Sequence, residues 1–235
     1  MKTKFIAAAL ALSSFAMFGS LAVAQEDAFQ KGSAALLQED YVEAVKWYRL
    51  SAEQGDAKAQ FALGALYTYG AGVPQNDTEA MKWYRLSAKQ GLAEAQYSLG
   101  VMYANGAGVP QNDTEAVKWY RLSAKQGLAE AQYVLGVMYA NGEGVPENDT
   151  EAVKWYRLAA DQGDAMAQYN LGHMYGWGQG VPEDFVQAYK WTNLAAAQGS
   201  EDANKVKEIL REQMTPEQIA EAQKLSSEWK PVGER

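Results

Sequence analysis

Tryptophan recurs in this chain at a fixed step of 36 residues, at Trp47, Trp83, Trp119, Trp155 and Trp191. Gly55, Gly91, Gly127, Gly163 and Gly199 keep the same step, and so do Pro74, Pro110, Pro146 and Pro182. An internal period of this length constrains the fold more than composition does. Each repeat is one supersecondary element that can bury its apolar face only against its neighbours. The repeat reads AEAQYSLGVMYANGAGVPQNDTEAVKWYRLSAKQGL from Ala93 to Leu128.

Each repeat divides into two helical patterns. In the first, Ala95, Leu99 and Tyr103 fall at steps of four on one helical face. Gly100 follows Leu99 and, without a side chain, lets a neighbouring helix approach closely. In the second, Ala116, Trp119, Tyr120, Ser123 and Ala124 follow the i, i+3, i+4, i+7, i+8 pattern of a buried face. Gly127 sits where a helix end needs a left-handed residue. No segment alternates with period two, so no sheet is expected.

The second helix also announces its start. Asp40, Asn76, Asn112, Asn148 and Asp184 are each followed three residues later by an acid or amide: Glu43, Glu79, Glu115, Glu151 and Gln187. These read as five capping boxes. The three Asn-Asp-Thr stretches also fit a glycosylation sequon, but Asp40 and Asp184 keep the cap and lose the sequon. The glycine pairs Gly70/Gly72, Gly106/Gly108 and Gly142/Gly144 end a helix instead of opening one, so they read as stops and turns and not as phosphate loops.

The first copy is truncated: Gln30-Lys31-Gly32 leads into LLQEDYVEAVKWY without the G-x-G-V-P loop, which predicts a tight turn between its two helices. At the other end, Thr215, Pro216 and Gln218 suit the cap, N1 and N3 positions of a terminal helix. Its stripe of Ile219, Ala222 and Leu225, set among charges, suits a cap over the last repeat's exposed core. The expected fold is all-α, with about five antiparallel helix pairs and a C-terminal capping helix. The chain divides into a leader (1–24), a repeat region (25–205), and a capping helix with its tail (206–235).

The pattern A-x-A-Q-x-x-L-G-x-x-Y-x-x-G-x-G-V-P-x-x-x-x-E-A-x-K-W-Y-R-L-(S/A)-A-x-Q-G resembles the Sel-one-like repeat (SLR) family, a tetratricopeptide-like class. The resemblance runs from about Ala28 to Ala203. It implies a right-handed α-solenoid whose concave surface holds other proteins or peptides. Bacterial members with signal peptides look like periplasmic or secreted adaptors and regulators. Some secreted relatives carry a disulfide in each repeat and a β-lactamase label; this chain has no cysteine.

The amino terminus has the three parts of a secretory signal in order: Lys2 and Lys4, an apolar stretch from Phe5 to about Val23, and Ala22-Val23-Ala24 as an A-x-A site. Cleavage after Ala24 and a periplasmic or secreted location are expected, the alternative being an uncleaved N-terminal anchor. The formal net charge is −8, and loss of Lys2 and Lys4 takes it to −10. Such an acid balance disfavours nucleic acid and anionic lipid as partners. The expected state is a monomer that binds a protein or peptide and does not insert in a membrane after cleavage.

Residue types restrict the chemistry. Without cysteine there is no thiolate nucleophile, cysteine–zinc site or haem attachment. His173 is the only histidine, so two- and three-histidine metal sites are excluded. Ser227-Glu228-Trp229-Lys230 fits Ser-x-x-Lys but lacks the partner motifs of a β-lactamase. No catalytic residue, cofactor or metal is assigned. An envelope hydrolase of the β-lactamase-labelled class is the alternative function. The five periodic tryptophans read as inter-repeat core.

Differences between copies point to a surface. Ala59, Gln60, Leu63, Gly64, Tyr67 and Gly70 recur unchanged in the next three repeats, while positions 58, 62, 65 and 69 vary. Steps of four, three and four put the variable positions along one helical face. In tetratricopeptide-like solenoids this face lines the groove. Met166, Asn170, His173 and Trp177 form its most distinctive row, joined by Asn105, Asn141 and Tyr69 as a candidate concave partner-binding face. Plain surface drift without a ligand is the alternative reading.

Overall fold

The computed structural model describes residues 27–233. The leader expected over 1–24 lies outside them. The described residues form twelve helices and no strand: α1 over 27–37, α2 Tyr41–Glu53, α3 Ala57–Tyr69, α4 Asp77–Lys89, α5 Ala93–Asn105, α6 Asp113–Lys125, α7 Ala129–Asn141, α8 Asp149–Asp161, α9 Ala165–Trp177, α10 Phe185–Ala197, α11 Glu201–Gln213 and α12 Pro216–Glu228. These are the helix pairs of an α-solenoid. Two compact units divide the chain, one of residues up to 95 with 107–109, the other of 96–106 with 110 onward.

In the first unit α3 packs on both α2 and α4. Its core joins Ala44, Val45 and Tyr48 of α2 to Leu63 and Leu66 of α3 and to Trp83 of α4. The truncated pair closes in a tight turn, as its sequence predicts. The Asp40 N–H donates to the Ala35 carbonyl at 3.0 Å, and Glu39 takes the left-handed φ of 59° that this requires.

In the second unit the sequence α6, α7, α8, α9, α10 packs as consecutive neighbours, and α10 is covered by both α11 and α12. Leu135 and Leu171 are completely buried, as are Ala131 and Ala167 one turn before them. Trp191 sits in the core built by α8 and α9, so the inter-repeat reading of the periodic tryptophans holds there. Trp119 and Trp155 are half-buried, Trp155 packing against the core of α6 and α7, and Val117, which the expected buried face did not include, is buried.

Helix ends follow the sequence with one correction. All five expected N-caps accept a hydrogen bond from the N3 backbone N–H, such as Asn148 from Glu151 at 3.0 Å. The reciprocal bond that completes a capping box is present at Thr215/Gln218 of α12. In α2, α4, α6 and α8 the N3 carboxylate instead pairs with a lysine one turn on: Glu43 with Lys46, Glu79 with Lys82, Glu115 with Lys118, Glu151 with Lys154. The N-cap N–H groups are already engaged, those of Asn76, Asn112 and Asn148 donating to the Tyr67, Tyr103 and Tyr139 carbonyls and that of Asp40 to the Ala35 carbonyl, which leaves the carboxylates to the lysines. The threonines after Asn112 and Asn148 also have a structural job: Thr114 and Thr150 donate to the Gly144 and Gly180 carbonyls.

The second glycine of each G-x-G loop has a steric reason. A Cβ at Gly144 would lie 2.4 Å from the Asp113 carbonyl, and one at Gly180 would lie 2.4 Å from the carbonyl carbon of Asp149. Each loop therefore presses backbone to backbone on the start of the preceding second helix. A pair of glutamines, one buried and one exposed, adds to this stacking. The Gln132 amide donates to the Ala124 carbonyl at 3.1 Å, while Gln162 donates to the Gln132 side-chain oxygen at 2.7 Å. Gln168 and Gln198 repeat the arrangement.

The end of the chain holds one element that sequence reading did not separate. α11 has its own cap, Ser200, and its own stripe of Ala203, Val206 and Leu210, all buried; it runs through position 205. In α12, Ala222 and Ser226 are buried, while Leu225 is half-buried. Beyond it the Trp229 ring meets the Trp191 ring edge-on at 6.2 Å, and the Val232 N–H donates to the Asp161 carbonyl at 2.8 Å.

Candidate functional site

The last variable row lies on α9 as expected. Met166 and Trp177 are exposed, and Asn170 and His173 are half-buried between them. The His173 imidazole stacks on the Trp177 indole, with centroids 4.1 Å apart and planes 16° from parallel. The spacing of four residues produces that contact directly. A large aromatic left 46% exposed beside a polar ring is a surface with binding capacity.

Asn141, Asn170 and His173 come together. They line a pocket of about 250 Å³ with Asp149, Tyr156 and Gln179. α7 supplies Asn141 at its last turn, α8 supplies Asp149 at its first residue and Tyr156 two turns on, and α9 supplies Asn170 and His173. The Tyr156 phenol is pushed up in pKa by burial first, then by Tyr133 and by the Asp149 charge, so it remains a donor at neutral pH. Tyr133 is raised too, by burial and then by Asp164, against a hydrogen bond from Asn170. Asn141 donates to the exposed Glu143 at 3.0 Å.

Tyr69 belongs elsewhere. It lines a pocket of about 470 Å³ within the first unit, with Leu36, Tyr41, Phe61, Ala62 and Ala65 among its neighbours. Tyr69 itself is 82% exposed. Asn105 is exposed, at the last residue of α5.

The two pockets occupy the same repeat positions. Tyr41 corresponds to Asp149, Tyr48 to Tyr156, Ala62 to Asn170, Ala65 to His173 and Ala71 to Gln179, each three periods apart. One notch, between the second helix of a repeat and the first helix of the next, is apolar in one copy and polar in the other. Variation of positions 62 and 65 was legible in the sequence. Asp149 and Gln179 were missed, since they lie outside the first helix; their signal was that Tyr41 and Ala71 depart from them at equivalent positions.

The other candidate chemistry does not assemble. The Ser227 hydroxyl donates to the Lys224 carbonyl of its own helix at 2.8 Å. Among the described residues no group of three or more His, Cys, Asp or Glu is arranged to hold a metal ion. No helix among them is long and apolar enough to cross a membrane.

A family model, the Sel1 repeat, matches residues 21–56, 57–92, 93–128, 129–164 and 165–200 in five consecutive copies. Proteins built of this repeat are interaction scaffolds and generally not catalytic. The chain is similar to c5321, a protective antigen of uropathogenic Escherichia coli strains with an SLR fold. Identity is 35% and the TM-score 0.78, over 87% of this chain and 45% of that one, so this chain spans less than half of that protein. It is also similar to a Sel1 repeat protein of Oxalobacter formigenes, with 31% identity and a TM-score of 0.76 over 87% and 86% of the two chains. No curated protein matches the chain significantly.

Proposed function

The chain belongs to the Sel1 repeat family, and on that premise we propose that it is a non-enzymatic scaffold that binds a protein or peptide in the bacterial cell envelope or outside the cell. The observation that carries this reading is the α9 surface. His173 and Trp177 stack there as an exposed aromatic pair beside a polar notch, on a helix whose framework residues are shared with the other repeats. Repeat frameworks conserve packing, and the residues that break the pattern on an accessible face are the ones free to serve recognition.

The leader pattern over residues 2–24 supports export, with cleavage after Ala24. The likeness to a protein that is a protective antigen agrees with an envelope or secreted location. The mature protein acts as a monomer, with the variable face of its first helices as the concave binding surface.

Cross-linking in the periplasm, with affinity then measured for the captured partner, tests the reading. Trp177→Ala and His173→Ala should each weaken that partner by about tenfold or more, as loss of an aromatic anchor does. Unchanged affinity in both variants would remove the α9 row from the site. Turnover of nitrocefin or a muropeptide, abolished by Ser227→Ala or His173→Ala, would overturn the non-enzymatic reading.

A further inference from the structure

The notch between α8 and α9 has a chemistry that its copies lack. At the positions of Asn170 and His173 the preceding repeats carry Ala62 and Ala65, Ser98 and Val101, Val134 and Val137. Only here do two side chains with hydrogen-bonding nitrogen stand across from the first residue of the preceding second helix. That residue, Asp149, is the one formally charged group among the lining residues. It is half-buried and makes no ion pair among the described residues. Its neighbour in the same helical turn, Glu151, is already neutralised by Lys154. Glu143, outside the lining, accepts a hydrogen bond from Asn141, which is part of it.

A half-buried carboxylate without a counter-ion, at the edge of a stacked aromatic pair, is complementary to one kind of group. A guanidinium is planar, pairs with a carboxylate through its N–H edge, and lies on aromatic rings through its face. It has no acceptor atoms, and it is matched by a lining that offers carboxylate, carboxamide and phenolic oxygens. An anion would meet Asp149 with no lysine or arginine in the lining to receive it.

We propose that this notch is a binding site for an arginine side chain of the partner, with its guanidinium on Asp149 and against the His173–Trp177 pair. The proposal rests on the peptide-binding reading above and names the residue that the peptide must carry. The same notch in the first unit, lined by Tyr41, Ala62 and Ala65, has no charged group for such a ligand.

The single histidine makes the test direct. The purified protein is titrated with acetyl-Gly-Arg-Gly-amide while the His173 imidazole proton signals are followed by NMR. The citrulline peptide, isosteric and uncharged, and the glutamate peptide are the controls. The expected result is a saturable shift with the arginine peptide alone, weakened about tenfold or more in Asp149→Asn, the scale of one charge-assisted pair. Asn148, not Asp149, caps α8, and a thermal melt checks that the variant is folded. The double variant Asn170→Ala with His173→Ala, which reproduces the alanines of the first copy, is followed by titration calorimetry and should also lose binding. No shift with the arginine peptide, equal shifts with citrulline, or full affinity in Asp149→Asn overturns the proposal. A cross-linked partner that binds Asp149→Asn normally but not Trp177→Ala removes the arginine site and leaves the scaffold reading intact. Arginine-peptide binding with no partner captured does the reverse.

Discussion

Gly136 of α7 exists to make room for the ring of Tyr156 in α8. A Cβ at 136 would stand 2.6 Å from Cδ1 of that ring, inside the closest approach of two carbons. Gly64 and Tyr84, and Gly100 and Tyr120, make the same contact, each with a clearance of 2.7 Å. The tyrosine ring in turn tilts against a second aromatic from the first helix, as Tyr133 does with Tyr156 at 6.1 Å. Where the tyrosine is replaced, at Thr192, the glycine stays, because a Cβ at 172 would lie 2.7 Å from the Thr192 Cγ2 and 3.0 Å from the Ala188 carbonyl oxygen.

Gly136→Ala should therefore cost about 1–3 kcal/mol, the range for overpacking a close-packed core. Helix propensity alone would favour alanine there by nearly 1 kcal/mol. A stabilised variant in urea melts would mean that the ring yields without strain. Gly127→Ala would be destabilising for a different reason, since nothing lies within 4 Å of its Cβ position but its φ is +96°.

Gln132 is buried and joined at both ends. Gln132→Leu removes one of two donors from the Ala124 carbonyl, which keeps the Gly127 N–H, and takes the side-chain acceptor from the Gln162 amide, so it should cost about 1 kcal/mol despite adding apolar surface. Gln162→Leu, at an exposed helix end, should cost less. Equal losses in chemical denaturation would contradict a burial-controlled difference.

Tyr120 and Tyr156 set an alkaline limit. Burial raises both phenols above the ordinary value of 10.0. The folded state therefore holds their protons more tightly than the unfolded one. Stability is intact below about pH 10 and declines as pH rises toward the folded values, because the unfolded chain ionises first. Urea midpoints should fall progressively as pH rises above about 10, and Tyr120→Phe with Tyr156→Phe should flatten that fall. Phenolate absorbance that appears at its ordinary pH in the folded protein would refute the shift.

Trp229 fastens the end of the chain. Its ring lies against Trp191 and within 3.8 Å of the Cβ position at Gly163. Trp229→Ala should lower stability by about 1–3 kcal/mol, below the cost for a fully buried tryptophan, and redden tryptophan emission as Trp191 gains water. Trp177→Ala should leave stability within about 1 kcal/mol, since that ring is half exposed and its recorded ring contact is the stack on His173. Comparable losses in the two variants would show that Trp177 is structural.

Much of this was legible in the sequence, for a physical reason. The N-caps, the αL glycines after α2, α4, α6, α8 and α10, and the tight α1–α2 turn depend on residues within one helix end, where sequence neighbours are spatial neighbours. The same holds for the His173–Trp177 stack, one helical turn long. The fate of Glu151 was misread because the Asn148 N–H is taken by the Tyr139 carbonyl of α7, a contact the local motif does not show, which leaves the carboxylate to Lys154. The notch was only half visible. Its walls come from α7, α8, α9 and the loop after α9, and no spacing rule sets Asp149 and Gln179 opposite Asn170 and His173. α11 was blurred because Ala203, Val206 and Leu210 follow the helical period but none of the residues that mark the repeat.

Gly144 and Gly180, pressed on the helix starts at Asp113 and Asp149, also restrict how such a chain can change length. Excision or duplication of 36 residues returns a glycine to every one of these contacts. A deletion that is not a whole number of periods sets a side chain against a carbonyl and breaks the register of the glutamine pairs as well. Growth and shrinkage by whole periods is thus the one route that costs the array nothing at its joints, and a notch with a new chemistry can be copied, moved or lost as a single block.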